Sequence, residues 1–355
     1  MIYFISGGGT AGHIYPAISI ADSIRKIDEN AKFYYVGIKG KLEEEIAKKE
    51  GYEFLPITSM PLILKPSIKA IKSLNSFING VKTSKQYIDK YHPDAIICTG
   101  GYVSGPIGYA AKLKKIPLYI HESNAYPGIT TNFLDRFSKI TFLPYESVKE
   151  NFKNKKNKVV AGTPIRSQFN MEIKDENHKL TVLSFGGSGG QKSLNEAVSG
   201  IFNEYKDFKY DWIHICGRNW EKEFHELVPE LPKYATVYTY YYEFYELMKK
   251  ADLVICGCGA QTLNEVSAMK KPSVLIPKMN VVKNHQYFNA KKYEDENAGV
   301  LIKETDLNKD ILLEVVDKLM NDREKLKTMG ENAGHLFVKD SADIIAKNIY
   351  EDLKK

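Results

Sequence analysis

No stretch of the 355-residue sequence is apolar for the length a bilayer crossing needs, and no tract is of low complexity. These absences exclude a helical membrane span and a disordered scaffold. The opening run MIYFIS lacks the basic segment of a signal peptide and leads straight into glycines, so a cytosolic protein is expected. Cysteine is scarce, with four in all. Cys98, Cys216 and Cys256 stand in apolar, strand-like runs where a thiol acts as a small hydrophobe. The lone C-x-C of Cys256 and Cys258 has no second pair at ligand spacing, so a structural metal site is not expected. The paired carboxylates of a D-x-D motif are missing as well. No metal and no cofactor are expected.

What is present is 43% hydrophobic and 26% charged, with length enough for two domains. Short apolar runs alternate with helix-length segments: YFIS, FYYVG, AIICT, PLYIH and ITFLP, then TVLSFGG, WIHIC, TVYTY, DLVIC, SVLIP and GVLI. This alternation predicts an α/β protein of two Rossmann-like parallel-sheet domains facing a central cleft, with ligand loops at the carboxyl ends of strands. The join near VVAGTPIRS gives an N-terminal domain of residues 1–162 and a C-terminal domain of residues 163–339. The amphipathic SADIIAKNIYEDLKK is predicted as a helix over 340–355 that crosses back to the first domain. Net charge is +6, unevenly spread. Residues 1–160 hold 23 Lys and Arg against 14 Asp and Glu, a net of +9, and the remainder carries −3. The basic half wants an anionic partner.

The glycines of FISGGGTAGHIYPA match the dinucleotide fingerprint G-x-G-x-x-G between a strand and a helix. A carboxylate at the end of the second strand should then bind the ribose. That strand, KFYYVGIKG, ends without one, and Glu43, Glu44 and Glu45 fall inside the next helix. The loop still offers backbone N–H groups to some other phosphate. His13, in the first turn, either caps the loop or acts as a neutral general base, since the positive end of the helix dipole disfavours imidazolium. TGGYVSGP supplies a second candidate anion cradle at Gly100, Gly101 and Ser104. HESNAYPG puts His121, Glu122, Ser123 and Asn124 at a strand end, as a polar site or as an ordinary turn. In CGCGAQTLNE a helix opening at Ala260 suits a pyrophosphate, and Glu265 one turn on suits ribose hydroxyls; helix capping explains the same pattern.

Taken in order, GGGTAGHIYPA, TGGYVSGP, HESNAYPG, GTPIR, GGSGGQKSLNE, GAQTLNE and HQYFNA resemble the MurG family of glycosyltransferases, which has the two-domain GT-B fold. The resemblance implies an inverting transfer of N-acetylglucosamine from UDP-N-acetylglucosamine to the C4 hydroxyl of the lipid-linked muramyl-pentapeptide lipid I, forming lipid II. Peptidoglycan synthesis, cell shape and cell division would follow from that activity. His13 is then the candidate base and Glu122 the second candidate. Thr10, Ala11, Gly12, Asn124, Arg166 and Ser188 match donor-side positions, Ala260, Gln261, Thr262 and Glu265 the pyrophosphate and ribose site, and His285 and Gln286 the sugar-reading pair. Tyr241 falls at the uracil contact, and Gly9, Gly100, Gly101, Tyr102 and Ser104 are candidates for the acceptor diphosphate. Ala11 stands where a second glycine is common, Ser123 where glutamine is commoner, and His285 where a glutamine stands in part of the family.

The acceptor of this family is membrane-bound, which implies a peripheral location on the inner face of the cell membrane. In residues 61–90 six lysines meet one aspartate, and Ile68, Ile71, Leu74, Ile78 and Val81 recur at helical spacing with Phe77 beside them. Lys65, Ile68, Lys69, Ile71, Lys72, Leu74, Phe77 and Ile78 are read as contacts to an anionic membrane, against the alternative of a core-facing helix with a solvated lysine side. No base-stacking motif accompanies the charge, so a nucleic-acid partner is not expected. Two other functions fit fewer of these residues: a GT-B transferase using another UDP-sugar or acceptor, and an NAD-binding Rossmann protein.

Overall fold

The structure is a computed structural model and describes all residues except 64, 166–168, 170–178, 188 and 280–283. Arg166 and Ser188 therefore lie outside the described residues. The chain divides into two units, Met1–Arg166 with Val338–Lys355, and Ser167–Phe337.

In chain order the first unit holds β1 (Ile2–Ser6), α1 (Ala11–Ile27), β2 (Lys32–Ile38), α2 (Leu42–Lys49), β3 (Glu53–Ile57), α3 (Ile68–Tyr91), β4 (Ala95–Cys98), α4 (Ser104–Lys114), β5 (Leu118–His121), α5 (Ile129–Leu134), β6 (Ile140–Leu143) and β7 (Lys158–Val160). The strands form one parallel sheet in the order β3-β2-β1-β4-β5-β6-β7. Period-two geometry sends successive residues of β1 to opposite faces. Tyr3 and Ile5 pack with Ile14, Ala17 and Ile20 of α1, and Phe4 packs with Ile88 of α3 and Ile107 of α4. Both faces are covered, which is why β1 reads as an uninterrupted apolar run. The sequence reading passed over β3 and β7. Both are edge strands, and at such an edge Pro56 of β3 is tolerated without its N–H.

The second unit holds β8 (Thr181–Phe185), α6 (Lys192–Glu204), β9 (Asp211–Ile215), α7 (Glu221–Leu227), β10 (Ala235–Tyr238), α8 (Phe244–Lys250), β11 (Leu253–Gly257), α9 (Ala260–Ala268), β12 (Ser273–Ile276), α10 (His285–Asp295), β13 (Val300–Leu301), α11 (Lys309–Met320) and α12 (Arg323–His335). Its parallel sheet runs β10-β9-β8-β11-β12-β13. The last helix, α13 (Ser341–Leu353), belongs to the first unit, where Ile345 and Ile349 join the α1 side of the core and Tyr119 Oη donates to Asp352 at 2.6 Å.

A polar chain crosses the core of the second unit. Trp212 Nε1–H donates to Ser184 Oγ at 2.8 Å, Ser184 O–H to His214 Nδ1 at 2.8 Å, His214 Nε2–H to Asn195 Oδ1 at 3.1 Å, and Asn195 Nδ2–H to the Cys216 carbonyl at 2.9 Å. Every donor meets an acceptor only if the imidazole is neutral. Burial, which disfavours its charged form, pushes the His214 pKa down to about 3. The four cysteines are buried and unbridged, and burial pushes the Cys98 and Cys256 thiols up to about 12.

Candidate active site

A doubly wound sheet binds ligands where its strand order reverses. In the first unit this is between β1 and β4, so the loops after these strands lie side by side. They interlock. Gly8 N–H donates to the Gly100 carbonyl at 3.3 Å, and Thr99 Oγ1 donates to the His13 carbonyl at 2.6 Å. A Cβ on Gly101, at φ +78°, would stand 2.2 Å from the Gly8 carbonyl oxygen, and one on Gly100, at φ +112°, 2.7 Å from His13 Cδ2. Only glycine permits both the backbone conformation and the approach. The imidazole of His13 thus rests on Gly100.

His13 Nδ1 lies 3.2 Å from the Gly8 carbonyl oxygen and 3.2 Å from Thr10 Oγ1. A carbonyl only accepts, so it selects the tautomer with hydrogen on Nδ1 and leaves the lone pair on Nε2. The first turn of α1 contains no acid and Thr10 gives it no side-chain cap. The helix dipole there favours the neutral ring. One nitrogen oriented and the other basic is the arrangement of a general base. Thr10 is exposed at the N-cap, and Ala11 and Gly12 form the first helical turn.

The second candidate base is otherwise engaged. Glu122 is buried, and its carboxylate accepts from Asn124 N (2.9 Å), Asn124 Nδ2 (2.8 Å) and Gly128 N (2.9 Å). It braces the turn that follows β5, and proton abstraction by Glu122 would require breaking that brace. His121 is fully buried and hydrogen-bonds the Gly162 carbonyl through Nε2 at 3.0 Å; burial pushes its pKa down to about 4. Ser123 Oγ lies 3.4 Å from His121 Nδ1.

Two of the candidates for the acceptor diphosphate are engaged within the chain. Ser104 Oγ is buried and donates to the carbonyls of Ser6 (3.0 Å) and Gly100 (2.9 Å), so its hydroxyl faces inward. Gly9 N–H is met by the carboxylate of Glu43 at 3.4 Å. Neither group is presented to an anion. Gly100 stays beside His13, Tyr102 lies against Gly9, and Gly101 is packed on Gly8.

In the second unit the order reverses between β8 and β11. The loop after β11 leads through Gly259 into α9, whose start carries no side-chain cap and no acid in its first turn. Ala260, Gln261 and Thr262 form that turn, and Glu265 lies behind it, buried, with Gln261 Nε2 on its Oε1 at 3.3 Å. His285 and Gln286 open α10, which Asn289 ties to the Cys258 carbonyl at 3.1 Å. Gln286 Oε1 accepts from Lys278 N at 3.0 Å, which orients its amide NH₂ as the donor end. Lys278 Nζ donates to the Gly190 carbonyl at 2.8 Å, tying the loop after β8 to the end of β12. Burial lowers the Lys278 pKa. Tyr241 is half-buried and packs on Tyr238, with ring centroids 4.8 Å apart.

On α3 the predicted membrane contacts divide. Ile68, Ile71, Leu74 and Ile78 are each more than half exposed, with Lys65, Lys69 and Lys72 exposed among them and Met60, Leu62 and Ile63 adding apolar surface nearby. Phe77 turns inward instead, against Tyr109 and Phe133, and Val81 is buried. Among the described residues no helix is long and apolar enough to cross a membrane, and no three His, Cys, Asp or Glu side chains converge as a metal ligand set.

The glycosyltransferase family 28 N-terminal domain matches residues 3–143, and the family's C-terminal domain matches residues 181–345. The UDP-N-acetylglucosamine–N-acetylmuramyl-(pentapeptide) pyrophosphoryl-undecaprenol N-acetylglucosamine transferase of Alkaliphilus oremlandii is 35% identical over 356 residues, 97% of each chain. The crystal structure of MurG from Acinetobacter baumannii is similar at TM-score 0.77 and 25% identity, over 99% of each chain. The chain belongs to the MurG family of glycosyltransferases. A Bacillus subtilis member, carrying the same transferase name, is 35% identical over 99% of each chain. The two parallel-sheet units are those of the GT-B fold, which a kitacinnamycin glycosyltransferase shares at TM-score 0.75 and 15% identity.

Sequence reasoning missed three residues that tie these loops together: Thr99, Lys278 and Glu43. The signal for Thr99 was its place between β4 and two glycines. Lys278 and Glu43 gave none beyond their charge, because their partners come from other elements.

Proposed function

We propose that this chain transfers N-acetylglucosamine from UDP-N-acetylglucosamine to the C4 hydroxyl of lipid I, yielding lipid II and UDP. The acceptor oxygen bonds to the sugar's anomeric carbon as the bond from that carbon to the UDP oxygen breaks, with inversion. His13 Nε2 takes the hydroxyl proton. The diphosphate's developing charge falls to the uncapped start of α9, with Glu265 on the ribose and Gln286 and His285 on the sugar. Gly100 and Tyr102 border the acceptor's diphosphate, and Thr10, Ala11, Gly12 and Asn124 lie on the donor sugar's side. The observation that carries the reading is the His13 ring, fixed in one tautomer on Gly100 by the Gly8 carbonyl.

The exposed isoleucines and leucine of α3, set among lysines, are read as the surface that meets an anionic membrane on its cytoplasmic face. A lipid-linked acceptor requires such a surface.

The test is transfer of labelled N-acetylglucosamine to a synthetic lipid I analogue. His13→Ala should lower kcat by ~10²-fold or more with the Kd for UDP unchanged. Near-normal turnover would remove His13 as the base, and failure of the wild-type protein to transfer would remove the activity itself.

A further inference from the structure

Glu43, in the first turn of α2, is 1% exposed, and both of its hydrogen bonds are to backbone N–H groups, Gly9 and Ile38, each at 3.4 Å. The surrounding chain is shaped to admit it. A Cβ on Gly8 would come 3.0 Å from its Cδ, and one on Gly37 would come 2.9 Å from its Cγ. The phenols facing it are Tyr35 of β2 and Tyr102 of the loop after β4. Burial first and the Glu43 charge second raise both pKa values, so these rings stay neutral. Tyr35 Oη donates to the Gly7 carbonyl at 2.6 Å, which fixes the other side of the same loop. A carboxylate removed from water is costly unless it is hydrogen-bonded or paired, and here the partners are two backbone N–H groups. What lies nearby is the loop that presents the Gly8 carbonyl to His13.

We propose that Glu43 is a positioning residue for the transfer step. Its carboxylate holds the Gly7–Gly9 turn that orients His13, and its buried negative charge favours the imidazolium formed when His13 takes the acceptor's proton. Because it takes the Gly9 N–H, that donor is not offered to a phosphate. Of the described residues, His121 is a titratable neighbour of His13, buried and kept neutral. The inference rests on His13 being the base, so wild type, His13→Ala, Glu43→Gln and Glu43→Ala are assayed together.

The measurements are kcat for transfer to the lipid I analogue from about pH 5.5 to 9, and UDP binding by calorimetry. Activity on the acidic limb requires neutral His13. Removing a nearby negative charge lowers the pKa of that ring, so the limb should move to lower pH in Glu43→Gln. The shift should be roughly 0.6–1.2 units, the size expected for a charge about 10 Å away, one loop's width, at an effective dielectric of ~20–40. In the same variant kcat should fall ~3-fold or more, with UDP affinity unchanged. Glu43→Ala should shift the limb equally and lose more kcat, and the isosteric Gln variant serves alone if Ala fails to fold. An unmoved limb overturns the proposal even if kcat falls, since loss of packing alone would give that result. A parallel loss of UDP affinity overturns it too. Full turnover by His13→Ala would instead overturn the base assignment on which the proposal stands.

Discussion

Gly100→Ala probes the base without touching its side chain. The new Cβ would stand 2.7 Å from His13 Cδ2 and 3.1 Å from Nε2, well inside contact distance, and the ring is the part free to move. It must leave the position in which Nδ1 faces the Gly8 carbonyl. The alanine also occupies φ near +112°, which costs an L-residue about 1–3 kcal/mol. For a unit of this size that lowers Tm by roughly 2–12 °C, so turnover is compared at a temperature where thermal melting shows the variant folded. Turnover should fall ~10-fold or more, toward the level of His13→Ala, with UDP binding in the other unit unchanged. The decisive comparison is a double-mutant cycle. If Gly100→Ala acts through the imidazole, adding it to His13→Ala should cost less than about 2-fold in kcat. Multiplicative losses in the double variant, or wild-type turnover in folded Gly100→Ala, would show that the ring's seat on Gly100 does not govern the reaction.

Acid should weaken both units by a known route. His121 and His214, with folded pKa values near 4 and 3 against 6.5 for an unhindered histidine, bind a proton more readily unfolded than folded. Their stabilisation is complete above pH 6.5 and is lost as the pH falls toward those values, by about 2 kcal/mol per residue at pH 5. Thermal unfolding at pH 7 and pH 5 should show this difference, and His214→Gln should reduce it; an undiminished difference would exclude His214 as the source. On α3, paired Ile71→Glu and Ile78→Glu should reduce binding to anionic vesicles at least 10-fold while sparing transfer to a detergent-soluble acceptor. Vesicle binding indifferent to anionic lipid and to salt would count against that surface.

Strands buried on both faces were readable because they are apolar up to their last residue: β1, β4 and β11 announce themselves in four or five residues. The edge strands β3 and β7 were not, since an edge tolerates Pro56 and needs only three residues of pairing. Helix α3 carries two apolar stripes, Ile68, Ile71, Leu74 and Ile78 on one and Phe77, Val81 and Ile88 on the other. Periodicity finds both. Only the packing of Phe77 on Tyr109 and Phe133 decides which turns inward. Glu122 shows the same limit, because a polar residue at a strand end is visible while the turn that consumes its oxygens is not. His13 could be found from its place in a first turn, but its tautomer depends on a carbonyl five residues back along a folded loop.

The opening fingerprint illustrates how one backbone shape changes task. In a dinucleotide domain the glycine loop turns its N–H groups to a pyrophosphate, and an acid at the end of the second strand takes the ribose. Here β2 ends at Ile38 with no acid, and a carboxylate from α2 meets both Ile38 N–H and Gly9 N–H. The two elements of the cofactor site, nest and carboxylate, are thus turned on each other. A nest filled by its own chain has no charge to offer a phosphate, and the property it keeps is shape. That shape, with Gly100 and Gly101 pressed against it, presents the Gly8 carbonyl to His13 Nδ1. The glycines that in another domain would admit a nucleotide here admit an imidazole, and on the proposed function the nucleotide falls to the uncapped start of α9 in the second unit.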